Sequence, residues 1–169
     1  MSKKTNVVLI GMPGSGKSTL GKLIAKVKGM QFVDTDALIV KAENQPLQTV
    51  LDRRGLKYLR ATEANVISSL NLTDTVISTG GSAIYSESAI EHLRQSSVIV
   101  LLSISMQTLN RRVTNANSRG LAKMPAHPLT RLYSERLPLY HRAADIVVDN
   151  NKPMSGVRLH ELLKNLDDF

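Results

Sequence analysis

Residues 11–18 read GMPGSGKS, and they directly follow the apolar run NVVLI at residues 6–10. The spacing G-x-x-x-x-G-K-S is typical of a loop whose glycines let successive backbone N–H groups point inward and surround an anion. The β-branched residues before the loop read as a buried strand, and the helical spacing from Thr19 onward reads as a helix. The stretch therefore predicts a binding site for a chain of phosphates between a strand and a helix N-terminus.

The residue types within this loop indicate how it would act. We expect Lys17 to reach the outer phosphates and the Ser18 hydroxyl to ligate Mg²⁺. The alternative is a glycine-rich turn with an incidental lysine, which the strand before it and the helix after it disfavour. The predicted nucleotide-binding residues of the loop are Gly14, Ser15, Gly16, Lys17, Ser18 and Thr19.

Length and composition set the protein class. A chain of 169 residues with 42% hydrophobic residues suits a single domain over residues 1–169. No apolar stretch approaches the ~20 residues of a membrane span, so we expect no membrane partner. Because the sequence enters a strand without an apolar leader, we expect a cytoplasmic protein, and the absence of cysteine excludes disulfides, thiol catalysis and cysteine metal sites.

The net charge of +8 is compatible with nucleic-acid binding, with an anionic small substrate, or with solubility alone. The basic residues are scattered, and aromatic residues make up only 4% of the chain, which leaves few rings for stacking on bases. We therefore expect no nucleic-acid partner.

Strand-like and helix-like segments alternate along the chain and predict an α/β fold, a five-stranded parallel sheet with helices on both faces. Ligands gather at the carboxyl ends of such strands. The GMPGSGKS loop, the pair Asp34 and Asp36, and the turn Thr79-Gly80-Gly81 all follow strands, so these segments should meet in one cleft. Gly55 should divide the helical stretch 47–70 in two, and the aperiodic segment 115–127 should form a mobile lid.

The remaining motifs distinguish among phosphate-binding proteins of this type. The guanine motif N-K-x-D of GTPases is absent, and D-x-x-G occurs only at residues 52–55, within a helical pattern. The third strand ends without an acid, so Asp34 is the natural carboxylate for Mg²⁺. Asp36 could then orient or deprotonate an accepting hydroxyl, with capping of the next helix as the alternative.

The combination of motifs resembles the shikimate kinase family, within the P-loop fold of nucleoside monophosphate kinases, over nearly the whole chain. The matching stretches are GMPGSGKST at 11–19, DTD at 34–36, LRATE at 59–63, TGGS at 79–82, SRGL at 118–121 and ERLPLYHRAAD at 135–145. The resemblance implies ATP and Mg²⁺ as cofactors, with Asp34 reaching the metal through water and Ser18 as its other ligand. It implies that Asp36 holds the accepting hydroxyl, and that Arg119 closes over ATP from the lid.

The resemblance further implies that Arg60, Gly80, Gly81 and Arg136 bind the acceptor. An arginine fork suits a carboxylate because two N–H groups match its two oxygens, although surface charge is the alternative for both arginines. We expect Glu63, one helical turn after Arg60, to orient it through an ion pair. For Arg119 the alternative is a solvated loop arginine.

Several positions depart from the family pattern around the expected acceptor site. Ser82, Leu56 and Leu59 stand where glycine, glutamate and phenylalanine are usual, Gly120 stands where proline is, and Pro153 stands where an arginine that contacts adenine is common. These changes have little effect on the expected nucleotide chemistry. They affect which acceptor the site would bind.

We therefore predict ATP-dependent phosphoryl transfer to a small carboxylated polyol, with shikimate as the first candidate and shikimate 3-phosphate as the product. The alternatives are a kinase for another hydroxy acid, such as a gluconate-like sugar acid, and an inactive nucleotide sensor. Lys17, Asp36 and Arg119 are the predicted catalytic residues, and we expect a monomer.

Overall fold

The computed structural model describes residues 4–114 and 129–169. Its strands are β1 (Asn6–Ile10), β2 (Gln31–Asp34), β3 (Thr75–Ser78), β4 (Ser97–Ser103) and β5 (Ile146–Asp149). Its α-helices are α1 (Lys17–Lys28), α2 (Thr35–Glu43), α3 (Leu47–Ser68), α4 (Glu87–Ser96), α5 (Met106–Thr114), α6 (Leu129–Ala143) and α7 (Gly156–Asp167), and a short 3-10 helix spans Ala83–Tyr85. The predicted lid 115–127, with Arg119, lies outside the described residues.

The strands form a five-stranded sheet in the order β2-β3-β1-β4-β5, and every neighbouring pair is parallel. The predicted fold is confirmed. The central strand β1 pairs through Val8 with Ile77 of β3 on one side and with Ile99 of β4 on the other. Because all strands run in one direction, their carboxyl ends lie along one edge of the sheet, where ligands bind in folds of this class.

Alternation along β1 separates two hydrophobic cores, one on each face of the sheet. Val8 and Ile10 point into a core that α3, α4, α5 and α6 cover, whereas Val7 and Leu9 point into a core that α1 and α7 cover. Successive side chains of a strand face opposite ways, and all five residues of β1 are buried. The strand that precedes the GMPGSGKS loop is thus fixed by packing on both faces.

The predicted interruption at Gly55 is present in the structure. α3 spans Leu47–Ser68. Within it, Gly55 has φ 80° and ψ 171°, a conformation that is not helical and that divides the element into two helical segments. The first segment of α3 lies over α2, and its second segment brings Arg60 and Glu63 toward the end of β3. Among the helices within residues 4–114 and 129–169, none has the length and apolarity that a membrane span requires.

Candidate functional site

A cavity of about 240 Å³ opens at the carboxyl ends of β1, β2 and β3. The three segments predicted to converge all line it, and α3 and α6 complete its walls. Of the predicted site residues, those that line the cavity are Gly14, Gly16, Lys17, Ser18, Thr19, Asp34, Asp36, Gly80, Gly81 and Arg136. Ser15 is fully buried within the loop. Arg60 does not line the cavity and contacts the ring of Tyr85.

Lys17 is the first residue of α1 and lies in the bend of the loop. Its ammonium donates hydrogen bonds to the carbonyls of Gly11 at 2.9 Å and Met12 at 3.0 Å. Burial lowers the pKa of Lys17 to about 8, and the nearby carboxylates of Asp36 and Asp34 act in the opposite direction. A buried cation that donates to two neutral carbonyls is well placed to receive anionic phosphate oxygens.

The loop adopts the backbone that its glycines permit. Gly16, just before α1, has φ 99°, and a Cβ on it would lie 2.8 Å from Nδ2 of Asn150. The left-handed conformation and the close neighbour both demand glycine at this position. The first turn of α1 therefore presents its free N–H groups to the cavity.

Two residues that the sequence analysis did not identify support the loop from behind. Asn150, just after β5, donates from Nδ2 to the Ser15 carbonyl at 2.7 Å. Arg112 of α5 donates to the carbonyls of Ser15 at 3.2 Å and Asn150 at 2.7 Å. These bonds hold the Ser15 carbonyl in place. The one feature of the sequence that could have indicated this role is the position of Asn150 directly after a strand.

The carboxylate of Asp34 joins three elements. Its Oδ2 accepts a hydrogen bond from Ser18 Oγ at 2.8 Å, and Ser18 Oγ lies 3.3 Å from Ser78 Oγ at the end of β3. Its Oδ1 accepts from the backbone N–H of Asp36 at 3.0 Å and caps α2. The capping role considered for Asp36 is therefore wrong. It belongs to Asp34, because α2 begins at Thr35 and Asp36 lies inside the helix.

The oxygens of Ser18 and Asp34 fit a magnesium ion. Mg²⁺ prefers hard oxygen ligands and is held in kinases by one or two protein oxygens, with phosphate and water completing the shell. The hydroxyl and the carboxylate already lie within 2.8 Å of each other beside the phosphate loop. Within residues 4–114 and 129–169 no group of three or more His, Cys, Asp or Glu side chains could form an all-protein metal cage.

Asp36 faces the turn that follows β3. A Cβ on Gly80 would lie 2.7 Å from Asp36 Oδ1 and closer still to Glu63 Oε1, so only glycine fits between the two carboxyl groups. The Gly80 N–H is held by the Thr35 hydroxyl at 3.1 Å, which fixes the turn. The two acids and the lysine share one electrostatic environment, since Asp36 and Glu63 both raise the pKa of Lys17.

Glu63 is almost fully buried, with an exposed fraction of 2%. It accepts a hydrogen bond from the Ser82 hydroxyl through Oε2, while its Oε1 has no hydrogen-bond partner in the part of the chain that the structure describes. Burial raises the pKa of Glu63 to about 7; the Ser82 hydrogen bond opposes that rise, and Asp36 adds to it. The expected ion pair with Arg60 is wrong, because Oε2 of Glu63 accepts from Ser82 and its Oε1 lies beside Gly80.

Arg60 and Arg136 meet at Tyr85 instead. The Arg60 guanidinium carbon lies 3.9 Å from the centre of the Tyr85 ring, and that of Arg136 lies 5.1 Å from it. Arg136 is buried, and its Nη1 lies so near Gly81 that a Cβ there would be at 2.9 Å. Two cations from α3 and α6 are thus brought to the same end of the cavity.

Three of the five departures from the family pattern lie in the same cavity. Leu56, Leu59 and Ser82 all line it. Ser82 acts through Glu63, whereas the two leucines contribute apolar wall. These three unusual residues therefore share one cavity with Lys17, Asp36 and Arg136.

Comparison with known proteins agrees with this geometry. The family model described as shikimate kinase matches residues 13–167. A shikimate kinase of Thiobacillus denitrificans is 36% identical over 170 residues, which cover 99% of this chain and 93% of that protein. A crystal structure of shikimate kinase from Aquifex aeolicus superposes with a TM-score of 0.79 at 30% identity, over 96% of each chain.

A structure of shikimate kinase from Acinetobacter baumannii in complex with shikimate has the same fold, with a TM-score of 0.85 at 24% identity over 97% of this chain and 93% of that one. The match of the family model extends from the phosphate loop to the last helix, and it includes every described residue of the cavity that lies beyond Met12. This chain belongs to the shikimate kinase family.

Proposed function

We propose that this protein transfers the terminal phosphoryl group of ATP to a hydroxyl of shikimate and releases ADP and shikimate 3-phosphate. The observation that carries the proposal is the meeting, in one cavity, of a phosphate loop, an acid beside a glycine turn, and Arg136, which shares the Tyr85 side chain with Arg60. Phosphoryl transfer needs mainly positioning and neutralisation of charge, and these groups supply both. The shared family with proteins named shikimate kinase supports shikimate as the acceptor.

The phosphate loop would bind ATP through its N–H groups and through Lys17. In the structure the Lys17 ammonium is satisfied by the Gly11 and Met12 carbonyls, and phosphate oxygens would compete for it. Asn150 and Arg112 hold the Ser15 carbonyl in place, so the loop is prepared for an anion before the nucleotide arrives. Preorganised donors of this kind stabilise the charge that develops in the transition state.

Ser18 and Asp34 are the residues that would hold Mg²⁺. The ion supplies charge neutralisation on the phosphate oxygens when it is bound. Asp34 would then reach the cation through water, while its other oxygen continues to cap α2.

Asp36 is the residue best placed to receive the proton of the accepting hydroxyl. Its carboxylate faces the Gly80 turn, a short distance from Lys17 across the cavity. A carboxylate at this position would orient the hydroxyl toward the phosphate and accept its proton as the bond to phosphorus forms.

Arg60 and Arg136 would bind the acceptor carboxylate. Arg136 lines the cavity and meets Arg60 at Tyr85, so two positive charges lie close together, and a planar carboxylate can accept two N–H groups from a guanidinium fork. The separation of roles is physically reasonable, because one end of the acceptor is anchored by charge while the other end presents a hydroxyl to Asp36. The proposed closure of Arg119 over ATP rests on the resemblance alone.

The test is release of ADP, measured with a coupled assay against shikimate and a panel that includes gluconate and a neutral polyol. We expect turnover with shikimate that falls on the order of 10²-fold or more in Asp36→Asn, with ATP affinity little changed. Asp74→Asn is the matched control, because Asp74 lies at the opposite edge of the sheet with φ 48°, a conformation that asparagine tolerates well. Brisk turnover of the neutral polyol without turnover of shikimate would contradict both the acceptor and the arginine site, and ATP binding without any turnover would indicate a nucleotide sensor.

Three further expectations remain predictions, namely a single domain over residues 1–169, a monomeric state and a cytoplasmic location. The use of ATP supports the cytoplasm as the place of action. Sedimentation of the purified protein over a range of concentrations would test the monomeric state.

A further inference from the structure

Tyr85 lies between the two arginines of the acceptor site without lining the cavity itself. Arg60 stacks on its ring at 3.9 Å from the centroid, and Nε of Arg136 donates to its hydroxyl at 3.2 Å. The same hydroxyl donates to Glu135 Oε1 at 2.7 Å, which fixes the orientation of the phenol. One side chain, at the end of the 3-10 helix, thus contacts both guanidinium groups.

The contact with Arg60 replaces an ion pair that the sequence leads one to expect. Glu63 lies one helical turn after Arg60, where opposite charges normally pair, but its carboxylate is held by Ser82. As a result Arg60 Nε and Glu63 Oε1 are both buried without a hydrogen-bond partner among the described residues. A donor and an acceptor that would suit each other therefore stay unpaired, while Ser82 holds the other oxygen of the same carboxylate.

We propose that Tyr85 is a positioning residue for the acceptor, holding Arg60 on its ring face and Arg136 through its hydroxyl, in place of the Arg60–Glu63 ion pair that Ser82 prevents. This proposal rests on the proposed function only in assigning the two arginines to the acceptor. The effects of Tyr85 and Ser82 on Arg60 are then coupled. Ser82 removes the carboxylate that would direct Arg60, and Tyr85 supplies another support.

The physical chemistry of the contact favours this role. The face of an aromatic ring carries partial negative charge and attracts a guanidinium, most strongly where water is excluded. Arg136 has an exposed fraction of only 4%, so bringing a second cation to the same end of the cavity costs free energy that the ring and the phenol oxygen offset. A rigid support for both forks reduces the ordering cost when a carboxylate binds.

The experiment measures KM for shikimate, KM for ATP and kcat in Tyr85→Leu and Tyr85→Phe, together with thermal unfolding. We expect Tyr85→Leu to raise the KM for shikimate on the order of tenfold, with KM for ATP nearly unchanged. Tyr85→Phe keeps the ring face for Arg60 and should raise the KM for shikimate by less. Tyr85→Phe also provides the measurement of KM for shikimate if Tyr85→Leu folds poorly.

Tyr58→Leu is the matched control. Arg54 stacks on the Tyr58 ring at 4.6 Å, and the Tyr58 hydroxyl donates to Glu43 at 2.9 Å, so the same kind of cluster occurs there away from the cavity lining. We expect this variant to leave both KM values unchanged. A rise in KM for shikimate in Tyr58→Leu equal to that in Tyr85→Leu would overturn the proposal, since it would show a general effect of losing such a pair.

A rescue experiment separates positioning from packing. If Ser82 withholds Glu63 from Arg60, then Ser82→Gly added to Tyr85→Leu should recover most of the lost affinity for shikimate, because Glu63 can then pair with Arg60. An unchanged KM for shikimate in Tyr85→Leu, or an equal loss in the single and double variants, would overturn the proposal. Failure of the proposed function would be distinct, because the unsubstituted protein itself would then not phosphorylate shikimate.

Discussion

Ser18 Oγ donates to Asp34 Oδ2 at 2.8 Å, and this bond ties the first turn of α1 to the end of β2. The other oxygen of Asp34 caps α2, so one carboxylate serves both the proposed metal site and the start of a helix. The two roles can be separated by substitution, because asparagine caps a helix almost as well as aspartate but lacks the charge that binds Mg²⁺.

We expect Asp34→Asn to keep the stability of the fold and to require on the order of tenfold more Mg²⁺ for half-maximal activity. Asp34→Ala should show the same change and also lose about 1 kcal/mol of unfolding free energy through the missing cap. Magnesium titrations of activity, together with urea unfolding of the three proteins, check both parts. An unaltered magnesium requirement in Asp34→Asn would exclude Asp34 from the metal site.

Nucleotide binding should draw a proton onto Lys17. Burial lowers the pKa of Lys17 to about 8 in the free protein, and phosphate oxygens beside the ammonium would raise it. Near pH 8 we therefore expect uptake of a fraction of a proton when ATP binds, seen by calorimetry in buffers of different ionisation enthalpy. Lys17→Met should bind ATP more weakly and show no such uptake, and equal uptake in both proteins would assign the proton to another group.

Gly80→Ala should abolish most of the activity without unfolding the protein. A Cβ at this position would lie 2.7 Å from Asp36 Oδ1 and closer to Glu63, so both carboxyl groups must move. We expect kcat to fall on the order of 10²-fold, as displacement of the groups around the accepting hydroxyl disturbs its alignment. Gly156→Ala, at the start of α7, is the control, because nothing lies within 4 Å of its added Cβ. A comparable loss in that control would show that the effect is not local.

The succession of strands and helices along the chain and the place of the site could be predicted because they depend on local patterns. The apolar run before Gly11 and the helical spacing after Thr19 indicate a strand, a loop and a helix in sequence. Parallel packing then requires the ends of β1, β2 and β3 to lie at one edge. The cavity formed there as expected.

The contacts that arrange the site could not be predicted, since they join residues far apart in the chain. Asn150 supports a loop 135 positions earlier, and neither it nor Arg112 belongs to a recognisable motif. The prediction of an ion pair between Arg60 and Glu63 is wrong for a related reason. The helical spacing was correct, but Ser82, 19 residues later, competes for the same carboxylate.

The stability of the protein should fall as the pH rises through the range in which Glu63 loses its proton. Burial raises the pKa of Glu63 from 4.5 to about 7, so between these values the folded protein binds more protons than the unfolded chain. The unfolding free energy must then decrease with rising pH, by about 3 kcal/mol in total if no other group compensates.

Glu63→Gln removes the titration while keeping an oxygen that can accept the hydrogen bond from Ser82. We expect the difference in unfolding free energy between the variant and the unsubstituted protein to be small near pH 4.5 and to grow in favour of the variant up to about pH 7. Urea unfolding at half-unit intervals of pH measures this difference directly. A difference that stays constant across the range would show that Glu63 titrates alike in the folded and unfolded chains, and that its burial does not hold the proton.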